Sequence, residues 1–291
     1  METLRALIGG ARRILRKGAY RLFPSALQKR TYRRMYDRRA KAAFTADAPF
    51  MNYGYVPLTE GEKLTISSVP QQNYTYSQFS MQMYHHLASQ IDVRDVDVLE
   101  VGCGRGGGCQ YIKERLKARH VTGIDLSGYN IRVCRRNYRD PGLRFLRGDA
   151  ENLPFPAGSF AVVVNVESSY CYPRIDRFFA GVHRVLRAGG HFLYADLRFS
   201  EKIEELKRAI ENSGLRIMKA TDITANVVES LHQGTPDREA FIRRYLARDE
   251  GDFAKVAEAT RLSGTKGFQR FQRREELYMS FLIQKTAMPR S

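Results

Sequence analysis

The sequence predicts an α/β fold, with a doubly wound, mostly parallel sheet of seven strands, N-terminal helices and a helical insertion before the last strand. Three observations lead to it. Short apolar runs alternate with segments of helical periodicity, which is typical of a parallel sheet covered on both faces. The first apolar run breaks into a glycine-rich turn at 102–108 that opens a helix. With 291 residues, 43% of them hydrophobic, the chain can bury a large core.

The N-terminal segment 1–45 is strongly basic. It holds 13 Lys or Arg against Glu2 and Asp37, so it carries +11 of the net charge of +17. Residues 4–15 have the spacing of an amphipathic helix, and a second basic helix is predicted over 27–44. Three interpretations fit: a solvated extension packed on the domain, a contact with an acidic membrane surface, or a nucleic-acid arm or organelle transit peptide.

The next predicted segment, 46–90, combines a loop with a helix. Residues 48–70 have neither strand nor helix periodicity, yet Met51, Tyr53 and Tyr55 are apolar or aromatic, so they either pin the loop to the core or line a pocket. A helix is expected over 76–90. Its adjacent histidines, His85 and His86, point in different directions and cannot form a metal pair.

The core is predicted over 91–222, followed by a helical cap over 223–275 and a last strand and tail over 276–291. The cap is too long for a simple connection. Strands are expected at 97–101, 120–125, 143–146, 160–165, 191–196, 215–220 and 276–285, and core helices at 107–118, 128–138, 174–186 and 201–212.

The four cysteines form no Cys-x-x-Cys pair, which favours reduced thiols in a cytoplasmic protein and argues against a metal site. No apolar run approaches the 18 residues that a membrane span requires.

Polar residues end four consecutive strands of the predicted sheet. The glycine turn follows Glu100, Asp125 closes the second strand, Asp149 follows the third, and Asn165 and Glu167 follow the fourth. Ligands of such sheets bind beyond the carboxyl ends of the strands. A carboxylate after the second strand can accept hydrogen bonds from both ribose hydroxyls, and one after the third can accept from an adenine amino group. Each residue alone also fits a helix cap or a solvated loop.

Successive motifs across 96–196 resemble those of class I S-adenosylmethionine-dependent methyltransferases, which have a Rossmann-like fold. The motifs are 99–107 (LEVGCGRGG), 123–127 (GIDLS), 148–155 (GDAENLPF) and 184–190 (RVLRAGG). Residues 142–155, 164–173 and 194–198, with Tyr84-His85 and 223–228, further resemble phthiotriol/phenolphthiotriol dimycocerosates methyltransferases. Those mycobacterial enzymes O-methylate a hydroxyl of a very long-chain lipid. Segment 1–45 shows no such match.

The resemblance implies S-adenosyl-L-methionine as the cofactor and assigns its contacts. The methionine part would be held by Glu100, Gly102, Gly104 and Gly106, and its methionyl end would be approached by Asn165. The nucleoside would be held by the residues that follow the second and third strands, namely Asp125, Leu126, Asp149 and Ala150.

Methyl transfer to an alcohol benefits from a base that removes the hydroxyl proton. Glu167 and His85 are the candidate catalytic residues, although each also fits a structural role. The candidate walls of the acceptor pocket are all tyrosines: Tyr53, Tyr55, Tyr84, Tyr170 and Tyr172.

We therefore expect a cytoplasmic methyltransferase, peripheral at a membrane if the basic arm binds lipid, that acts on a hydroxyl of a lipid, polyketide or other apolar small molecule. Two alternatives stay open: C-methylation of a sterol- or isoprenoid-like acceptor, and a non-catalytic methyltransferase-like domain that recruits partners to a membrane. The strand end Asn-Val-Glu-Ser and the modest charge outside the arm argue against nucleic acid as a partner.

Overall fold

The computed structural model describes residues 25–42, 48–66 and 75–286. Its centre is a seven-stranded sheet in the order β3-β2-β1-β4-β5-β7-β6. The strands are β1 (Asp97–Val101), β2 (His120–Asp125), β3 (Leu143–Arg147), β4 (Phe160–Val166), β5 (Leu186–Phe199), β6 (Leu215–Asp222) and β7 (Glu276–Lys285). Strands β1 to β5 pair in parallel, and β7 runs antiparallel between β5 and β6. The predicted fold class is confirmed.

Helices cover both faces of the sheet. They are α1 (Ser25–Ala42), α2 (Glu60–Ile66), α3 (Thr75–Ala88), α4 (Gly107–Glu114), α5 (Gly128–Asn137), α6 (Ile175–Val185), α7 (Ile203–Glu211), α8 (Thr224–Gln233), α9 (Thr235–Phe241), α10 (Glu250–Ala259) and α11 (Lys266–Gln272). On one face α6 and α7 bury an apolar stripe against the sheet. On the other face α3, α4, α5, α8 and α11 share a second core. Each fully buried Leu, Val or Phe contributes about 1.5–3 kcal/mol through removal from water.

The predicted and observed elements differ most in two places, and the helix predicted over 107–118 ends earlier, at Glu114. Strand β5 begins at Leu186 rather than at residue 191, because the register against β4 shifts between Phe160 and Val162 and lets both stretches pair. Helix α2 lies inside the segment expected to be a loop. Its start is a capping box, in which Thr59 Oγ1 accepts from the Glu62 N–H and the Glu62 carboxylate accepts from the Thr59 N–H.

The predicted helix over 27–44 corresponds to α1, whereas the one over 4–15 lies outside the described residues. Residues 223–275, all described, form α8 to α11 with one π-helical turn at Ile242–Leu246. Within the described residues, no helix combines the length and the apolar character needed to cross a bilayer.

Candidate active site

A cavity lies at the carboxyl edge of the sheet, where the chain changes direction between β1 and β4. From β1 the chain winds outwards to β2 and β3, and from β4 it winds the opposite way to β5. Ligands of doubly wound folds bind at such a switch point. The cavity extends from the loop after β3 to the loop after β4, and α1 covers it from above.

The floor of the cavity is the glycine turn after β1. Gly102 and Gly104 have φ of 74° and 52°, a region that side chains disfavour. A β-carbon on Gly102 would also lie 2.3 Å from Ser168 Oγ. A side chain at this position would therefore displace the loop after β4, and glycine allows that loop to pack closely against the turn in the cavity floor.

Asp125, at the end of β2, holds the glycine turn in place. Its Oδ2 accepts from the Gly104 N–H at 3.0 Å, and its Oδ1 accepts from the Ser127 N–H at 2.8 Å. Burial raises the pKa of this carboxyl to about 6, against the lowering effect of these hydrogen bonds. Asn130 Nδ2 also donates to Oδ1, at 3.3 Å, so of the roughly four acceptor positions of a carboxylate one, on Oδ2, stays open to a hydroxyl group from the cavity.

Beyond β3 the wall contains Asp149, Ala150 and Glu151, with Leu126 beside them. Lys29 of α1 reaches this wall and pairs with Asp149 Oδ2 at 2.7 Å and Glu151 Oε2 at 2.5 Å. Burial lowers the pKa of the Lys29 ammonium, but hydrogen bonds and attraction from the two carboxylates outweigh it and raise the pKa overall. Sequence reasoning missed Lys29, because nothing local links it to a loop 120 residues away.

Three of the predicted cofactor residues lie behind the cavity wall rather than in it: Glu100, Gly106 and Asn165. Glu100 is fully buried and accepts from Tyr84 OH at 2.6 Å. Burial raises its pKa to about 7, and hydrogen bonds from Cys109 and Tyr84 oppose the rise. Asn165 donates to the Val101 carbonyl at 2.8 Å, so it supports the turn after β1. Direct contact of these residues with a cofactor stays a prediction.

Glu167, after β4, stands in the far wall with its backbone in the left-handed region at φ 51°. Such a conformation costs a non-glycine residue free energy and is concentrated at functional sites. Glu167 Oε2 accepts from the Tyr53 N–H at 2.8 Å and from Tyr278 OH at 3.1 Å. Burial raises the pKa of Glu167 to about 8, and the charge of Asp196 adds to the rise.

Four of the five predicted pocket tyrosines line the cavity: Tyr53, Tyr84, Tyr170 and Tyr172. Met51, expected either to pin its loop or to line a pocket, also lines the cavity; it is 41% exposed and Tyr170 is 38% exposed, so these two mark the mouth. Tyr36 of α1, which sequence reasoning missed, meets Tyr170 across the mouth, with 2.9 Å between the hydroxyl oxygens.

His85 and Tyr55 do not reach the cavity, and their predicted roles need correction. His85 lies about 100° around α3 from the cavity-lining Tyr84, and its Nδ1 is 2.6 Å from Tyr111 OH. Tyr55 is fully buried, donates to Glu62 Oε1 and packs its ring on His86. Helical direction separates His85 from the site, and the loop turns Tyr55 into the core.

Comparison with known proteins decides the family. The family model described as "Methyltransferase domain" matches residues 99–194. The chain is 40% identical over 205 residues to a fatty-acid O-methyltransferase of Mycolicibacterium smegmatis, a match that covers 68% of this chain and 70% of that protein. It is 37% identical over 231 residues to phthiotriol/phenolphthiotriol dimycocerosates methyltransferase 1 of Mycobacterium ulcerans, covering 78% and 82%. The chain belongs to the class I S-adenosylmethionine-dependent methyltransferases.

Solved structures agree with the fold of a class I methyltransferase. The [4+2]-cyclase SpnF superposes with a TM-score of 0.66 at 16% identity, covering 88% of this chain and 96% of its own. Geranyl diphosphate C-methyltransferase from Streptomyces coelicolor superposes with a TM-score of 0.62 at 14% identity, covering 91% and 100%. One of these proteins is named a cyclase, so the shared fold alone does not fix the reaction.

The cofactor of this methyltransferase is S-adenosylmethionine, as expected. The residues in the cavity fit it. The glycine turn at Gly102 and Gly104 would hold the methionine part, Asp125 could accept from a ribose hydroxyl, and Asp149 would meet the adenine edge. The cofactor supplies a methyl group on a sulfonium that needs no further activation. The protein therefore has to bind, align and exclude water, and to take a proton from the acceptor if the acceptor has one.

Proposed function

We propose that this methyltransferase transfers the methyl group to an oxygen atom of a lipid acceptor, with a hydroxyl as the acceptor group. The observation that carries the proposal is Glu167. Among the carboxylates of the cavity wall, Asp125, Asp149 and Glu151 stand at the nucleoside end, whereas Glu167 follows β4 at the opposite end. A proton acceptor therefore stands on the side that the cofactor leaves open.

The environment of Glu167 suits a general base. Two donors, the Tyr53 N–H and Tyr278 OH, both bond to Oε2, which leaves Oε1 for a ligand. A pKa of about 8 makes the ionised carboxylate a stronger base than an ordinary Glu, while still allowing a useful ionised fraction near neutral pH. In the proposed step, the acceptor O–H would donate to Glu167, and its proton would move to the carboxylate as the methyl carbon leaves the sulfonium sulfur and bonds to the acceptor oxygen, with S-adenosylhomocysteine as the product.

The walls around Glu167 favour an apolar acceptor. Tyr53, Tyr170 and Tyr172 surround it, and the thioether of Met51 lies at the mouth. Aromatic and apolar walls with a few fixed polar groups are typical of pockets for small apolar ligands. Relatives named for phthiotriol lipids and fatty acids support the same substrate class.

The proposal is tested with isotope-labelled S-adenosylmethionine and two defined acceptors, hexadecanol and geranyl diphosphate. Hexadecanol offers only oxygen, whereas geranyl diphosphate offers an alkene carbon for the C-methylation alternative. We expect label in a methyl ether of the alcohol, at a rate that falls in Glu167→Gln. Label found only on carbon would overturn the hydroxyl acceptor and favour C-methylation, because an acidic side chain among tyrosines could also stabilise a carbocation.

We also propose that the basic segment 1–45 contacts an acidic membrane surface. In its described part, Leu27, Arg30, Arg34, Arg38 and Lys41 are exposed and fall within about 80° of one another around α1. Within the described residues, none of these four basic side chains forms an ion pair. Because this face points away from the cavity that α1 covers, it could rest on lipid while the enzyme draws its acceptor from the same surface.

Sedimentation with vesicles tests the membrane contact. Arg30→Glu/Arg34→Glu/Arg38→Glu should bind vesicles rich in phosphatidylserine roughly 100-fold or more weakly than wild type, at about 1 kcal/mol for each lost basic residue. The control Arg144→Glu/Arg216→Glu/Lys219→Glu changes the charge equally at exposed positions elsewhere. Equal losses in both variants would indicate a general charge effect and refute the contact.

A further inference from the structure

The cavity-facing side of α1 carries a stripe of four residues: Lys29, Tyr32, Tyr36 and Arg39. Their spacing of three, four and three residues places them on one face of the helix. Lys29 stands over the loop after β3, and Tyr36 meets Tyr170 in the loop after β4. Arg39 lies ten residues beyond Lys29, which is about 15 Å along the helix axis. It therefore stands over the reaction end of the cavity.

The two cations at the ends of this stripe differ in their partners. Lys29 pairs with two carboxylates at the nucleoside end. Arg39 is half-buried in the cavity wall, and no carboxylate of the described residues pairs with it. The charge of Arg39 acts on Tyr36: burial raises the pKa of that phenol, and the positive charge of Arg39 opposes the rise.

A partly desolvated guanidinium without an anion is costly, and a bound sulfonium would add a second positive charge nearby. An anionic ligand group in this part of the cavity would remove both costs. The planar guanidinium fits a carboxylate best, because its paired N–H groups can donate to both carboxylate oxygens.

We propose that Arg39 is a carboxylate-binding residue of the cavity. Two ligands can supply that group: the methionine part of the cofactor, and a lipid acceptor that is itself a carboxylic acid. The second source rests on the proposed function and extends its substrate class from alcohols to acids. A carboxylate acceptor is already ionised and forms a methyl ester without giving up a proton, so there Arg39 would position the nucleophile and Glu167 would not be needed as a base.

Calorimetric binding to the full-length protein tests this without relying on turnover. The cofactor arm compares S-adenosylhomocysteine with methylthioadenosine, which lacks the amino-acid part. The acceptor arm compares decanoate with decanol on protein saturated with S-adenosylhomocysteine. Arg39→Gln is measured beside Arg144→Gln, a matched control whose side chain is exposed on β3.

Arg39→Gln should lower the affinity for one ligand that carries a carboxylate, S-adenosylhomocysteine or decanoate, about 10- to 100-fold, as expected for a hydrogen bond between charged groups. The affinity for the matching ligand without a carboxylate, methylthioadenosine or decanol, should not change. A loss confined to S-adenosylhomocysteine assigns the cofactor carboxylate, and a loss confined to decanoate assigns an acid acceptor. Arg39→Lys should recover only part of the affinity, because an ammonium cannot donate in the bidentate manner.

Two results would overturn the proposal. One is that Arg39→Gln binds every ligand with the same affinity as Arg144→Gln. The other is an equal loss of affinity for methylthioadenosine and S-adenosylhomocysteine, or for decanol and decanoate. Such a result would mean that the substitution acts by disturbing the packing of α1. Failure of the proposed function would look different, because the wild-type protein would then transfer no methyl group to any lipid while its binding data stayed intact.

Discussion

Glu167→Gln is the substitution that most sharply probes the proposed chemistry. Gln keeps the size of the side chain and can still accept from the Tyr53 N–H and Tyr278 OH, but it cannot take a proton. Loss of a general base typically lowers kcat by about 10² to 10⁴. Cofactor affinity should change little, because Glu167 stands at the opposite end of the cavity from Asp125 and Asp149.

The pKa of about 8 fixes the expected pH dependence. At pH 7 roughly a tenth of Glu167 is ionised, and at pH 9 roughly nine tenths, so kcat with an alcohol acceptor should rise about ninefold over this interval. Glu167→Gln should abolish the rise. Tyr278→Phe removes one hydrogen bond that favours the ionised form, so it should shift the rise to higher pH.

The pH dependence of stability should also change in Glu167→Gln. Because folding raises the pKa of Glu167 from 4.5 to about 8, the folded state holds the proton more tightly than the unfolded state. The contribution of Glu167 to the free energy of unfolding is therefore largest near pH 4 and is lost as the pH rises towards 8. Glu167→Gln should therefore match wild type in Tm near pH 5 and exceed it near pH 8.5.

Initial rates with hexadecanol from pH 6 to 9.5, and Tm values from pH 5 to 8.5, provide both readouts. A flat wild-type profile together with a Glu167→Gln variant that keeps at least a third of the wild-type kcat would refute the assignment of Glu167 as base.

Three further predictions follow from the geometry. Gly102→Ala should abolish binding of S-adenosylhomocysteine, because its β-carbon would clash in the cavity floor. The control Gly158→Ala also has a positive φ, +67°, but open space around it, so it should cost only about 1–2 kcal/mol of stability and leave binding intact. Lys29→Gln should lower the free energy of unfolding by about 1–3 kcal/mol and weaken cofactor binding, while Lys63→Gln, in an exposed ion pair, should change neither. His85→Ala should lower Tm but leave kcat within about threefold of wild type, because its imidazole contacts a helix outside the cavity.

Each of these has an opposing result. Equal cofactor binding in the two glycine variants would show that the floor has room for a side chain, and equal behaviour of the two lysine variants would show that the α1 contact is inert. A tenfold or larger fall in kcat for His85→Ala would restore it as a catalytic candidate.

Part of the cavity wall could be predicted because its information is local. The glycine turn, Asp125 and Asp149 each follow a strand directly, and parallel strands bring their carboxyl ends to one edge. The order of the strands then places these residues in one cavity. The same locality explains why the seven strands could be read from the chain. The capping box of Thr59 and Glu62 was equally local but was overlooked.

The cover that α1 forms over the cavity could not be predicted in the same way, because its contacts are distant in sequence. Lys29 meets Asp149 across 120 residues, and Tyr36 meets Tyr170 across 134. No periodicity in α1 indicates which loops it covers. His85 illustrates the same limit: its residue type suits catalysis, but one position along a helix turns a side chain by about 100°.

The central claim is that this cavity delivers a methyl group to the oxygen of a lipid. It is tested most directly by incubating the protein with S-adenosylmethionine carrying a trideuterated methyl group and a lipid extract, and locating the label by tandem mass spectrometry before and after saponification. We expect the label on oxygen of a long-chain lipid, in a methyl ether that survives saponification or in a methyl ester that does not. Label on carbon, or only in water-soluble molecules, would contradict the account.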